Sequence, residues 1–328
     1  MTPIPMIELW RGDMRESLHA GHAVICDSRG VVAAWGDPDA VIYPRSACKM
    51  IQALPLIESG AADAAGLTDR QLALACASHS GAGVHVEAVG AWLEGLGLAE
   101  ADLRCGSHMP GDPAENRRLT CSDHAPCQLH NNCSGKHAGF LTLNRHLGGD
   151  ADYIEPDHPV QLAVRAAFEE VTGETSPGFG IDGCSAPNWA CTVGGLARAM
   201  ARFANPAPDR RGQAMRRLTD AMRGHPLMVA GEGRACTELM RAMGGTVAIK
   251  TGAEAVFVAI LPERGLGIAL KITDGATRAS EAAIVALLSH LGALAGDDPA
   301  ARARLGGQIV NCRGRATGEL RLSAGFPA

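Results

Sequence analysis

Apolar positions along the chain follow three regimes, a strand-like start, a helical middle and a strand-like end. Near the N-terminus, AGHAVICDSRGVVAAWGD reads as two strands joined at Asp27-Ser28-Arg29-Gly30, with glycine closing the turn. Pro44 and Arg45 lead into SACKMIQALPLIESG, a helical pattern that starts near Ser46 and stops near Gly60. Pro55 has no N–H to give and crowds the preceding turn, so it kinks or shortens that helix. From about residue 61 to 230, helical patterns such as TDRQLALACASH, VHVEAVGAWLEGLG, HPVQLAVRAAFEEV and GQAMRRLTDAMRGH alternate with loops rich in Gly, Pro and Asn. The loops around 105–137 and 173–190 are long, and long loops in compact proteins usually carry function. The last third returns to strands in TVAIKTG, EAVFVAIL and LGIALKI, the last two separated by Pro262-Glu263-Arg264-Gly265. An amphipathic helix, ATRASEAAIVALLSHLGAL, follows.

These elements predict an α+β fold in which the N-terminal hairpin and the C-terminal strands share one antiparallel sheet, flanked by the first and last helices. The expected organisation is one catalytic domain over 1–328. Its sheet lobe takes about 1–60 and 231–328, and an inserted helical, loop-rich lobe takes about 61–230.

Composition narrows the class. Hydrophobic residues at 46% and charged residues at 20% are the profile of a globular enzyme rather than a disordered or fibrous chain. With aromatics at 4%, the core must be built from Ala, Leu, Val, Ile and Met. A net charge of −5 and the absence of a basic stripe argue against nucleic-acid or membrane-surface partners. No run approaches the roughly 18 apolar residues of a membrane helix, and MTPIPMIELWRGDMRES lacks the pattern of a signal peptide. A cytoplasmic location is expected. The 11 cysteines, odd in number and scattered, fit buried small hydrophobes, metal ligands or reactive thiols better than a disulfide framework. Cys26, Cys76 and Cys236 read as core.

The sharpest chemical signal is Ser46-Ala47-Cys48-Lys49 at a helix start. Residues at i and i+3 share a helical face, so the lysine amine can reach the serine hydroxyl. Free N–H groups at the helix start favour a developing oxyanion, and a basic lysine must be neutral, which burial or a neighbouring cation provides. A second signal is Lys250-Thr251-Gly252 at the end of an apolar strand. Ser-x-x-Lys followed by a strand-borne Lys-Thr-Gly is the order found in β-lactamases and penicillin-binding proteins. There the glycine is expected to let substrate lie against the strand edge. Cys76-Ala77-Ser78-His79-Ser80 suits the wall of an active site. Gly231-Glu232-Gly233-Arg234 lacks the Lys-Ser/Thr of a phosphate loop and reads as a structural turn. Cys133, His137 and Cys184 are the set that chemistry alone would select for zinc, with Cys133 and His137 spaced i, i+4 on a helix turn.

PRSACK, CASHS, NNCSGKHAG, DGC, HPLMVAGEGR and KTGAEA occur in this order, and together the chain resembles the rhizobial-type (class 3) L-asparaginases, the asparaginase II-like family, from about residue 8 to 320. The resemblance implies a fold like the serine β-lactamases and penicillin-binding proteins, a homodimer, and hydrolysis of L-asparagine to L-aspartate and ammonia. It also implies two Ser-Lys tandems, Ser46 with Lys49 and Ser78 with Lys250, and a zinc ion held by Cys133, Lys136 and Cys184. With that ligand set, Asp182 becomes a group holding a metal-bound water. His137 is assigned to substrate or to the surroundings of the metal, and Arg45 to the substrate carboxylate or to steadying its loop. The rival readings are a glutaminase, a β-lactamase or a D-Ala peptidase of the same fold, and a non-catalytic zinc-bound binding protein.

Overall fold

The N-terminal hairpin closes as its turn residues require. Asp27 Oδ1 accepts the backbone N–H of Arg29 at 2.7 Å and of Gly30 at 3.1 Å, and Gly30 takes a φ of 134° that a side chain would resist. In the computed structural model, which describes residues 2–327, this hairpin belongs to an eight-stranded sheet whose pairings are all antiparallel. The strand order is Gln308–Val310, Ala316–Leu322, Ile4–Arg11, Met14–Asp27, Leu266–Ile272, Val256–Leu261 and Ala248–Gly252, with Gly30–Trp35 paired to Met14–Asp27. The Ile4–Arg11 strand carries a register shift between Pro5 and Ile7, where proline cannot donate to the ladder. The fold is α+β, as the periodicity predicts.

The chain divides into two compact units. The sheet unit comprises the residues up to Ala47, Cys191–Asn205, and those from Glu238 on; the helical, loop-rich unit comprises Cys48–Ala190 and Pro206–Thr237. These boundaries differ from the sequence reading at three places. Residues 48–60 belong to the helical unit, 191–205 to the sheet unit, and 231–237 to the helical unit.

The physical reason is clearest at Val193–Ala204. Val41–Ile42 pairs with Cys191–Thr192 and draws the segment back to the sheet unit. The helix then packs its stripe of Val193, Leu196, Ala197 and Met200 onto strands Met14–Asp27, Val256–Leu261 and Leu266–Ile272. It lies so close that a Cβ on Gly267 would fall 2.0 Å from the Ala201 nitrogen. This helix, rather than the first one, partners Thr277–His290 in covering the sheet within this unit. Ile268, Ala269, Leu270 and Ile272 are accordingly 0% exposed, buried on both faces.

In the helical unit, Pro55 shortens the first helix as expected, leaving Lys49–Gln52 and Leu54–Glu58. The 105–137 loop contains a helix, Pro113–Ser122, and a 3-10 turn, Gln128–His130. Ser134–Leu147 crosses Asp69–Ala75 at Gly135, where a Cβ would fall 2.5 Å from the Leu74 carbonyl oxygen. That close approach carries the NNCSGKHAG motif onto the helix that ends in CASHS.

Candidate active site

The helical pattern of TDRQLALACASH stops at Ala75, and CASHS leaves the helix as an irregular segment. Two backbone bonds pin it. Ser78 N–H donates to the Val229 carbonyl at 2.9 Å, and His79 N–H donates to the Asn132 carbonyl at 3.2 Å. Three motifs distant in sequence, CASHS, NNCSGKH and HPLMVAGEGR, are thereby joined through the main chain.

Lys49 ends at this junction. Its amine, 1% exposed, donates to Ser78 Oγ at 3.0 Å, to Cys133 Sγ at 3.2 Å and to the Ala77 carbonyl. Three polar partners surround the amine, so the lysine can sit in the interior without an orphan donor. The serine hydroxyl is placed to exchange a proton with it.

Beside it lies a sulfur–nitrogen cluster. Lys136 Nζ is 3.0 Å from Cys184 Sγ, and both side chains are buried. Cys184 is carried on the turn Asp182–Ser185, in which Ser185 takes a φ of 69° and Asp182 Oδ1 accepts the Gly183 N–H at 2.6 Å. A hydrogen bond from Cys133, with help from Lys136 and His137, holds the Cys184 thiol well below its usual range against the opposing effect of burial. The same bond to Cys184, reinforced by burial, pushes Cys133 well above. Burial works to lower Lys136, but Cys184, Cys133 and Asp182 outweigh it, and its pKa is raised. The cluster thus favours negative charge at Cys184 and positive charge at Lys136.

His137 is fully buried, and burial lowers its pKa. Its Nδ1 bonds the Tyr153 hydroxyl at 2.9 Å, and that hydroxyl accepts the Arg104 N–H at 2.9 Å. Tyr153 is a residue the motifs do not point to; it orients His137 from outside every recognisable string. Among the described residues no three His, Cys, Asp or Glu side chains form a group able to hold a metal ion. The Lys136 amine stands beside Cys184 Sγ. Two buried sulfurs and an amine are a donor set that fits zinc.

In the sheet unit, Lys250 is 1% exposed and donates to the Thr251 carbonyl at 2.8 Å, so it is not a solvated strand-end lysine. Gly252 has a different use from the one its motif suggests. A Cβ there would fall 2.7 Å from the Pro44 carbonyl and 3.0 Å from the Ala47 nitrogen. Its bareness therefore admits the Pro44–Ala47 turn rather than substrate, and it brings the Lys250 strand against the turn that carries Ser46. On that turn Ser46 is half-buried, and the half-buried Arg45 before it adopts a φ of 51°. A non-glycine residue in this region costs about 1–2 kcal/mol and persists where surrounding structure over-determines it.

A buried amine bonded to a serine hydroxyl on an α+β scaffold is the equipment of an amidohydrolase acting on a small-molecule amide. The L-asparaginase II family matches over residues 7–322, and the chain belongs to that family. No curated protein matches the chain in sequence. Among solved structures it is similar to a β-lactamase from Mycobacterium bovis, at 13% identity and a TM-score of 0.44, over 80% of this chain and 89% of that one. It is similar to a putative β-lactamase from Bacteroides dorei, at 12% identity and 0.42, over 77% and 84%. It is also similar to Mglu in its glutamate form, at 15% identity and 0.49, over 84% of this chain and 62% of that one. No helix among the described residues is long and apolar enough to cross a membrane.

Proposed function

We propose that the protein is an L-asparaginase that hydrolyses L-asparagine to L-aspartate and ammonia through an acyl-enzyme on Ser46. The observation that carries this reading is the buried Lys49 amine 3.0 Å from the Ser78 hydroxyl, in a chain of the L-asparaginase II family. Ser46 Oγ attacks the carboxamide carbon, and its proton passes to a neutral Lys49, directly or through Ser78. Lys250 is the second lysine of the relay, partnered with Ser78. Collapse of the tetrahedral adduct expels ammonia, which takes its proton from the same relay. Water then cleaves the β-aspartyl ester, with the relay moving protons in the opposite sense. Arg45 and His137 serve substrate binding, Arg45 toward the α-carboxylate, and Asp182 borders the thiol cluster.

Cys133, Lys136 and Cys184 would hold zinc. Zinc bound there would keep both sulfurs as thiolates and tie their segments together. No proton transfer in the scheme above runs through it. The protein acts in the cytoplasm as a homodimer. The resemblance supports the homodimer.

The test is ammonia release from asparagine and from glutamine by wild type and Ser46→Ala. Loss of turnover by several orders of magnitude in the variant, with the fold retained, is expected. Mass spectrometry of protein trapped with a slow substrate analogue locates the ester. A label on a cysteine or threonine would overturn the mechanism, and preference for glutamine would make the protein a glutaminase.

A further inference from the structure

A second nucleophilic cluster lies in the helical unit, built from residues to which the reaction above gives no role. Cys127 Sγ is 3.3 Å from His130 Nδ1, and His130 Nε2 is 3.2 Å from Glu115 Oε1. The carboxylate is fixed by the Pro113–Ser122 helix, whose cap Asp112 accepts the Glu115 N–H at 2.8 Å. The imidazole is fixed by the Gln128–His130 turn. His130 and Glu115 are 4% and 8% exposed, whereas Cys127 is half-buried and open to small solutes.

The proton positions follow from the bonds. The Cys127 backbone N–H donates to His130 Nδ1 at 3.1 Å, so Nδ1 is an acceptor and Nε2 carries the proton that Glu115 receives. Arg118 grips both Glu115 oxygens, at 2.6 Å and 3.0 Å; that bond leads in holding the carboxyl below its usual range, with His130 adding to it. The thiol and the backbone N–H share the one lone pair of Nδ1, so when Nδ1 takes the thiol proton the backbone bond is given up, and the ionised carboxylate behind the ring stabilises the imidazolium that forms. Nucleophile, base and orienting acid are in the order that activates a thiol.

We propose that Cys127 is a modification site, an activated thiol that reduces small hydroperoxides and becomes a sulfenic acid. The geometry favours this class of reagent because the leaving oxygen needs a proton, and His130 holds one beside the sulfur. The thiolate attacks one peroxide oxygen, the O–O bond breaks, and the departing hydroxide takes the His130 proton to leave as water. Sulfur is oxidised and the peroxide oxygen reduced, with no other reactant required.

The exposed thiols Cys121 and Cys312 provide an internal comparison, since accessibility alone would oxidise them first. The full chain is treated with sub-stoichiometric hydrogen peroxide in the presence of dimedone, and adducts are quantified peptide by peptide. Cys127 should be labelled about tenfold more than Cys121 or Cys312, and His130→Gln and Glu115→Gln should erase that excess without changing the other two. A general loosening of the fold would raise labelling of the half-buried Cys127 rather than lower it, so loss of the excess in the variants separates activation from unfolding. Equal or lower labelling of Cys127 in the wild type, or an excess that survives both substitutions, would overturn the proposal.

Discussion

At Lys136, burial and pairing pull in opposite directions, and pairing prevails. The buried Cys184 thiolate and the Lys136 ammonium are 3.0 Å apart, each the charge that makes the other tolerable. Removing one partner of a buried ion pair costs about 3–5 kcal/mol, whereas replacing both by apolar groups is close to neutral. In protein stripped of metal, Lys136→Ala should therefore lower the free energy of unfolding by that amount in urea titration, and Lys136→Met with Cys184→Val should recover most of it. Ser78→Ala removes one of the three acceptors of Lys49 and, in the proposed relay, a proton carrier. Turnover should fall by about 10²–10⁴-fold with KM nearly unchanged. Steady-state kinetics beside a thermal melt reads both effects. Ser46, Lys49 and Ser78 stand out in the sequence as candidates because Ser-x-x-Lys and CASHS are short strings with local chemistry. The contact between Lys49 and Cys133 was not, since it joins positions 84 residues apart.

Among the elements, two glycines set how closely backbones approach. Gly267 lets the Val193–Ala204 helix rest on strand Leu266–Ile272, and Gly135 lets Ser134–Leu147 cross Asp69–Ala75. In both places a methyl group would meet main-chain atoms that cannot rotate away. Gly267→Ala and Gly135→Ala should each destabilise by about 1–3 kcal/mol or more, seen as a lower denaturation midpoint at unchanged slope. Gly135→Ala should also disturb the Asn132–His79 link and reduce activity; Gly267→Ala should act on stability first. Hairpin, helix and strand were readable at this scale because each period is local. The Val193–Ala204 helix has as clear an apolar stripe as any, yet period alone does not say whether that stripe meets a sheet or other helices.

Over the whole molecule, buried imidazoles make acid the weak side. His79 is 1% exposed, with Gly81 N–H donating to its Nδ1 at 3.2 Å and its Nε2 2.9 Å from Ser134 Oγ. Burial first, then His85 and Lys49, hold its pKa well below the usual value, and burial lowers His85 as well. In the unfolded chain both take up protons near pH 6.5. Stability is fully present above that pH and is lost as pH falls below it, because the unfolded state then binds protons that the folded state refuses. The melting temperature should be level from pH 7 to 8 and fall steadily from 6.5 to 5. A melting temperature as high at pH 5 as at pH 7.5 would contradict this.

By itself the sequence determined the element types, the α+β class, the Ser-x-x-Lys turn and the thiol-bearing strings, because each depends on neighbours within a few residues. Tertiary structure alone decided that Gly252 makes room for the Ser46 turn, that the Lys49 amine meets Ser78 and Cys133, and that 191–205 returns to the sheet. Those outcomes rest on which surfaces bury one another, and burial is a property of distant segments that no local pattern contains.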